Sequence, residues 1–213
     1  MNKKEKISKI KELLLQKYGD AKTELIYKND YELLVCIILS AQCTDRRVNI
    51  ITPALFAKYP SVFDMARADI LELKLLINSC SFFNNKAENL LKMAKTVTME
   101  YDGKIPHNED ALKRLGGVGQ KTAHVFLIEF CGLNFMAVDT HVFRTSHRLG
   151  LSKAKTASGT EEDLVRVFKT DLSRLHQGLV LFGRYVCKSK KPLCSSECFL
   201  NEFCMSKEPF KPA

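Results

Sequence analysis

The chain has 213 residues, 46% of them hydrophobic, and a formal charge of +9. That length and apolar content support one large or two small buried cores and exclude disorder. No apolar run approaches the roughly 18–20 residues of a membrane span, and the charged start, Met1-Asn2-Lys3-Lys4-Glu5-Lys6, is followed by no apolar signal segment. The expectation is a cytoplasmic protein whose basic surface suits a polyanion.

In chain order the segments read as helix after helix. Over 4–18, Ile7, Ile10, Leu13 and Leu14 share one face at helical spacing. Asn29-Asp30 supplies a cap for an almost wholly apolar, central helix over 31–39. Thr44 or Asp45 caps another that runs to Lys58. Asn84-Asn85 precede a helix over 86–101, stopped by Asp102-Gly103. A short helix over 109–115 leads into an apolar one over 119–130, closed by Gly132. Asp139 opens 140–149, Thr160 with Asp163 resembles a capping box for 161–169, and Asp171 caps 172–187. No segment alternates with period two, so the fold class is all-α.

Four of the eight cysteines, Cys187, Cys194, Cys198 and Cys204, form a C-x6-C-x3-C-x5-C tail. Without a secretion signal, thiols so close in sequence read as a metal site rather than a disulfide framework. The loops suit an object larger than one ion, so a Cys₄-ligated iron–sulfur cubane is the natural candidate, with zinc and unligated thiols as the alternatives. Cys36, Cys43, Cys80 and Cys131 read as ordinary buried or spare thiols.

The segment Leu115-Gly116-Gly117-Val118-Gly119-Gln120-Lys121-Thr122-Ala123 runs from a short helix through a glycine hairpin into an apolar helix. Gly117 and Gly119 permit positive φ and close approach of another backbone. The helix start behind them offers N–H groups and a positive dipole to a phosphate. This is the pattern of a helix–hairpin–helix DNA clamp; an ordinary tight turn is the alternative. Lys121 sits in the first turn, where the dipole disfavours a cation. A lysine there acts as a Schiff-base nucleophile or as a phosphate contact. In Ala137-Val138-Asp139-Thr140-His141, Asp139 stands at a helix start, where it caps, handles a proton or stabilises a developing cation. Lys188, Lys190 and Lys191, with Arg184, make a basic loop beside the first tail cysteine.

The hairpin, the segment 138–141 and the cysteine tail, in this order, resemble endonuclease III of the helix–hairpin–helix superfamily, as do Leu39-Ser40-Ala41-Gln42-Cys43-Thr44-Asp45 and the segment 84–89. The likeness covers essentially the whole chain. It implies a bifunctional DNA glycosylase and AP lyase of base excision repair that removes oxidised pyrimidines from duplex DNA. It implies two all-α domains with the DNA cleft between them: a six-helix barrel bearing the hairpin over 22–133, and a 4Fe–4S cluster domain over 1–21 and 134–213. Lys121 matches the lysine that attacks C1′ and drives β-elimination of the 3′ phosphate, and Asp139 the essential aspartate. Gln42 matches the residue that fills the gap left by a flipped nucleotide. Phe82 stands where an apolar wedge, usually leucine, is found. Asp45 matches a damage-pocket position and His141 a position contacting DNA. Gly117, Gly119, Arg184, Lys188, Lys190 and Lys191 join the DNA contacts, and the four tail cysteines hold the cluster. A monomer associated with the bacterial nucleoid is expected.

Two features depart from the family pattern. The middle cysteine gap is three residues rather than two, and Gly116 stands where proline is usual. A monofunctional mismatch glycosylase generally lacks the lysine, so Lys121 argues against it. A non-catalytic DNA-binding cluster protein would need neither Lys121 nor Asp139.

Overall fold

The computed structural model describes residues 1–206, and every element among them is helical. The last seven residues of the expected cluster domain lie outside the described residues. No helix among the described residues is long and apolar enough to cross a membrane. The chain divides into two compact units, Thr23–Gly132 and Met1–Lys22 with Leu133–Ala213.

The first unit is built around α2 (Asp30–Ser40), whose residues from Tyr31 to Leu39 are all buried. A helix apolar on every side must be enclosed. Around it lie α3 (Asp45–Lys58), α6 (Phe83–Glu100) and α8 (Gln120–Glu129). Thr44 accepts the Arg47 N–H and so starts α3. Two short helices that the sequence pattern did not mark, α4 (Val62–Ala66) and α5 (Ile70–Leu76), pack on α6. They are capped by Ser61 and Asp69, but seven residues or fewer carry too little periodicity to read. α6 is longer than the sequence pattern suggests. It begins at Phe83 rather than at Lys86, so Asn84 and Asn85 lie inside the helix instead of capping it.

In the second unit α1 (Lys3–Tyr18) packs on α10 (Ala157–Phe168) and α11 (Leu172–Leu181), and α11 packs on α9 (Thr140–Arg148). Ile10, Leu14, Val142, Leu164, Leu175 and Leu179 form its core, each worth about 1.5–3 kcal/mol on burial. The cysteine tail is fastened to this core through Leu200 and Phe203. Phe199 adds ring contacts to Tyr18 at 6.0 Å and Phe182 at 5.3 Å.

Other helix ends and caps also differ from the sequence pattern: α7 (Glu109–Leu112) stops three residues short of the expected 115. α10 starts at Ala157, four residues before the expected 161, because Thr156 is the residue that accepts the Gly159 N–H. Thr160 is buried inside the helix, bonded back to the Thr156 carbonyl, and Asp163 pairs with Ser152 and Arg166. Asp171 precedes α11 at φ 60° without capping it; Asn134 Oδ1 accepts the Leu172 N–H at 2.7 Å instead, and Asp171 is drawn to Lys11 at 2.8 Å. α11 does not run to Cys187 as an α-helix but widens into a π-helical turn over Phe182–Val186.

Candidate functional site

In the first unit, the hairpin between α7 (Glu109–Leu112) and α8 is set by packing from below. Leu115 and Val118 are buried, and the Val118 N–H donates to the Leu115 carbonyl at 3.2 Å. A Cβ on Gly116 would fall 2.6 Å from the Asn89 carbonyl oxygen of α6. The hairpin therefore lies too close to α6 for a side chain there, a packing reason for the glycine. Gly117 takes φ +76°, the left-handed region. Gly119 differs from both. Its backbone is ordinary extended chain, and nothing lies within 4 Å of where its Cβ would stand. The fold does not demand a glycine at 119; open space in front of α8 is what it preserves. Lys121 is exposed on the first turn behind it. Glu109 Oε2 lies 3.1 Å from Nε2 of the buried His124 of α8, a contact that links the two hairpin helices. That contact, with help from Lys113, holds its carboxyl below the usual range.

The same unit carries two turns in contact. Gln42, at φ 53°, is exposed in the turn between α2 and α3. Phe82, at φ 57° and 63% exposed, precedes α6. It is not a core phenylalanine. Non-glycine residues in this region cost on the order of 1–3 kcal/mol and collect at functional sites. The turns are tied at their base: Lys86, buried, donates to the Leu39 carbonyl at 2.8 Å, and Cys43 Sγ lies 3.7 Å from Cys80 Sγ. Asp45 is half-buried in the first turn of α3.

In the second unit, α9 joins two groups of candidate residues. At its start Asp139 accepts the Val142 N–H through Oδ1 at 2.7 Å, so the cap uses one carboxylate oxygen. His141 follows, half-buried, with Nδ1 3.2 Å from an Arg144 guanidinium nitrogen. Arg144 also donates to the carbonyls of Gly183 at 2.8 Å and Cys187 at 3.0 Å. One turn on, Arg148 donates to Cys187 Sγ at 3.3 Å and to the Lys188 carbonyl at 2.8 Å. Sequence reasoning missed both arginines, since a helical arginine gives no signal of being turned toward another segment. Together they fix the loop that presents Lys188, Lys190 and Lys191, all exposed; Arg184, half-buried, lies in the π-helical turn before it.

The four tail cysteines line one cavity, walled by Leu149, Phe182, Val186 and Leu200. Among the described residues no three donor side chains converge tightly enough for a single metal ion. Burial and the neighbouring thiols push the Cys194 and Cys198 thiols up, Cys198 to about 11. The extra residue of the middle gap is absorbed at the surface. Ser195, Ser196 and Glu197 are exposed, and the Glu197 N–H donates to the Leu193 carbonyl at 3.1 Å in a single helical turn.

Residues 35–170 match the model of the HhH-GPD superfamily of base excision DNA repair proteins. The chain belongs to this superfamily. It is 43% identical over 199 residues to endonuclease III of Rickettsia conorii, covering 93% of this chain and 94% of that protein. It is 42% identical over 199 residues to endonuclease III of Bacillus subtilis, covering 91% and 90%. A solved chain from a trapped endonuclease III–DNA covalent intermediate superposes with a TM-score of 0.91 at 37% identity, over 96% of this chain and 97% of that one. The sequence-level resemblance to endonuclease III therefore stands, and with it the all-α HhH-GPD fold.

Proposed function

We propose that this chain is a bifunctional DNA glycosylase and AP lyase that excises oxidised pyrimidines from duplex DNA and cuts 3′ of the abasic site. The observation that carries the reading is Lys121, an exposed amine on the first turn of α8, just behind the open space at Gly119. Lys121 Nζ bonds to C1′ as the glycosidic bond breaks and the base leaves. The ring-opened imine then acidifies the C2′ proton, and its loss breaks the C3′–O bond to the 3′ phosphate. Asp139 takes a proton from the amine or stabilises the positive charge that develops at C1′.

The remaining roles concern the duplex. Gln42 fills the space of the flipped nucleotide and Phe82 wedges into the stack, a reading supported by the exposed, left-handed backbone of both. Asp45 lines the damage pocket, and His141 contacts DNA. Gly117, Gly119 and the start of α8 take a phosphate, and Arg184, Lys188, Lys190 and Lys191 contact others. Cys187, Cys194, Cys198 and Cys204 would hold a 4Fe–4S cluster, a fit supported by four thiols around one apolar-walled cavity. When bound, the cluster supplies a rigid cross-link under the lysine loop, and a brown protein with broad visible absorbance separates iron from zinc.

Borohydride reduction in the presence of an abasic duplex is expected to trap a covalent protein–DNA complex. Base release without trapping would instead identify a monofunctional glycosylase. The hairpin makes its own prediction. Gly119→Ala should cost no more than about 1 kcal/mol of stability, the N-cap preference for glycine, because its Cβ meets nothing. It should weaken binding to abasic duplex about tenfold, the worth of one charge-assisted hydrogen bond. Unchanged affinity in a titration would remove the phosphate from this position.

A further inference from the structure

Cys43 and Cys80 are 37 positions apart in sequence, yet their sulfurs lie 3.7 Å apart. Both sit in turns, Cys43 just after Gln42 and Cys80 two residues before Phe82. Turn backbone can give, whereas a thiol in mid-helix is held. The two differ in access: Cys80 is 3% exposed and Cys43 only partly buried. Burial and Cys43 oppose ionisation of the Cys80 sulfur, and Lys86 and Arg47 offset this only in part. Of the other cysteines outside the tail, Cys36 is buried and directs its thiol to the Ile26 carbonyl at 3.7 Å.

We propose that Cys43 and Cys80 are an oxidation site, a thiol pair that a hydroperoxide converts reversibly into a disulfide bridging the two turns. Cys43, the accessible member, attacks the peroxide through its sulfur as its proton leaves. Its sulfur bonds to one oxygen, the O–O bond breaks, and the departing hydroxide takes up the proton Cys43 gave up, leaving a sulfenic acid and water. The Cys80 sulfur then attacks the Cys43 sulfur. The S–OH bond breaks, the hydroxyl leaves with the Cys80 proton as a second water, and the S–S bond forms. Two thiols lose two electrons and the peroxide gains them. Burial, and then the neighbouring Cys43, push the Cys80 thiol up to about 11, so its proton must pass to the leaving hydroxyl as the S–S bond forms.

Bridging closes the sulfur gap from 3.7 Å to about 2.05 Å. The movement falls on the two turns that carry Gln42 and Phe82. Resting on the DNA roles proposed above for those residues, oxidation displaces the pair that must fill and wedge the stack. A displacement of this size at a positioning group lowers the rate of reaction on abasic duplex by about tenfold or more.

Peptide mass mapping of the intact, cluster-bearing protein tests the site directly. After stoichiometric hydrogen peroxide and alkylation of remaining thiols, a peptide pair joining Cys43 to Cys80 is expected, two hydrogens lighter than the free peptides and separated by dithiothreitol. In Cys80→Ser, or Cys80→Ala should the serine perturb folding, dimedone should label Cys43 instead. Both thiols alkylated after peroxide, or Cys43 joined elsewhere, would overturn the proposal. The rate of borohydride trapping on abasic duplex tests the consequence. Peroxide should slow the wild type, dithiothreitol should restore it, and Cys80→Ser treated identically should keep its rate. A bridge that forms without slowing the wild type would overturn the link to the turns. Failure of untreated protein to trap would overturn the enzymatic reading and leave the mapped bridge standing.

Discussion

Lys121→Ala is expected to abolish the borohydride-trapped complex and to lower lyase turnover by at least about 10³-fold, with little change in the fold. The fold part follows from position. Lys121 is exposed on the first turn of α8, and the core beneath it is carried by Ala123, Phe126 and Leu127. Alanine is a better helix former there, and removing a cation from the positive end of the helix is worth roughly 0.3–1 kcal/mol in favour of the variant. The chemical part follows from the nucleophile: without an amine no imine forms, and without an imine the C2′ proton is not acidic enough for β-elimination. Gel analysis after borohydride and thermal melting on the same sample read the two parts separately. Undiminished trapping in Lys121→Ala would assign the Schiff base to another amine. A large loss of melting temperature would recast Lys121 as a structural residue.

The sequence carried some of this plainly and some not at all. α2 was legible because nine successive buried residues leave no polar face, and α8 because a glycine hairpin marks its start. Helix starts were less secure wherever two residues could cap. Thr156 and Thr160 are both plausible, and in the structure it is Thr156 that accepts the Gly159 N–H. Asp171 reads as a cap, but the long-range pull of Lys11 wins it, and Asn134 takes its place. The candidate residues divide along the same line. Lys121, Asp139 and the four cysteines show themselves by local motif. Arg144 and Arg148 do not, because their partners are backbone carbonyls some 40 positions away. The approach of Cys43 to Cys80 is equally non-local, and single cysteines in mixed settings read as spare thiols.

Asp139 poses the sharper test, because its capping role and its proposed chemistry make opposite predictions for the two smallest changes. Asparagine caps helices about as well as aspartate. Asp139→Asn should therefore keep the bond from the Val142 N–H and the start of α9. It loses only the charge at the positive helix end, about 0.3–1 kcal/mol. DNA binding should survive, while turnover falls by about 10²–10⁴-fold, the usual worth of a proton-handling group. Asp139→Ala removes the cap as well and should cost about 0.5–2 kcal/mol in stability. That cost has a route to the cysteine tail, since Arg144 on the second turn of α9 holds the Cys187 and Gly183 carbonyls. Visible absorbance of the proposed cluster should thus fall in the alanine variant and hold in the asparagine one. If Asp139→Asn turns over at the wild-type rate while Asp139→Ala loses stability, the carboxylate is a cap and nothing more. If the asparagine variant binds abasic duplex normally but does not turn it over, the charge that the cap does not require is the charge that the reaction uses.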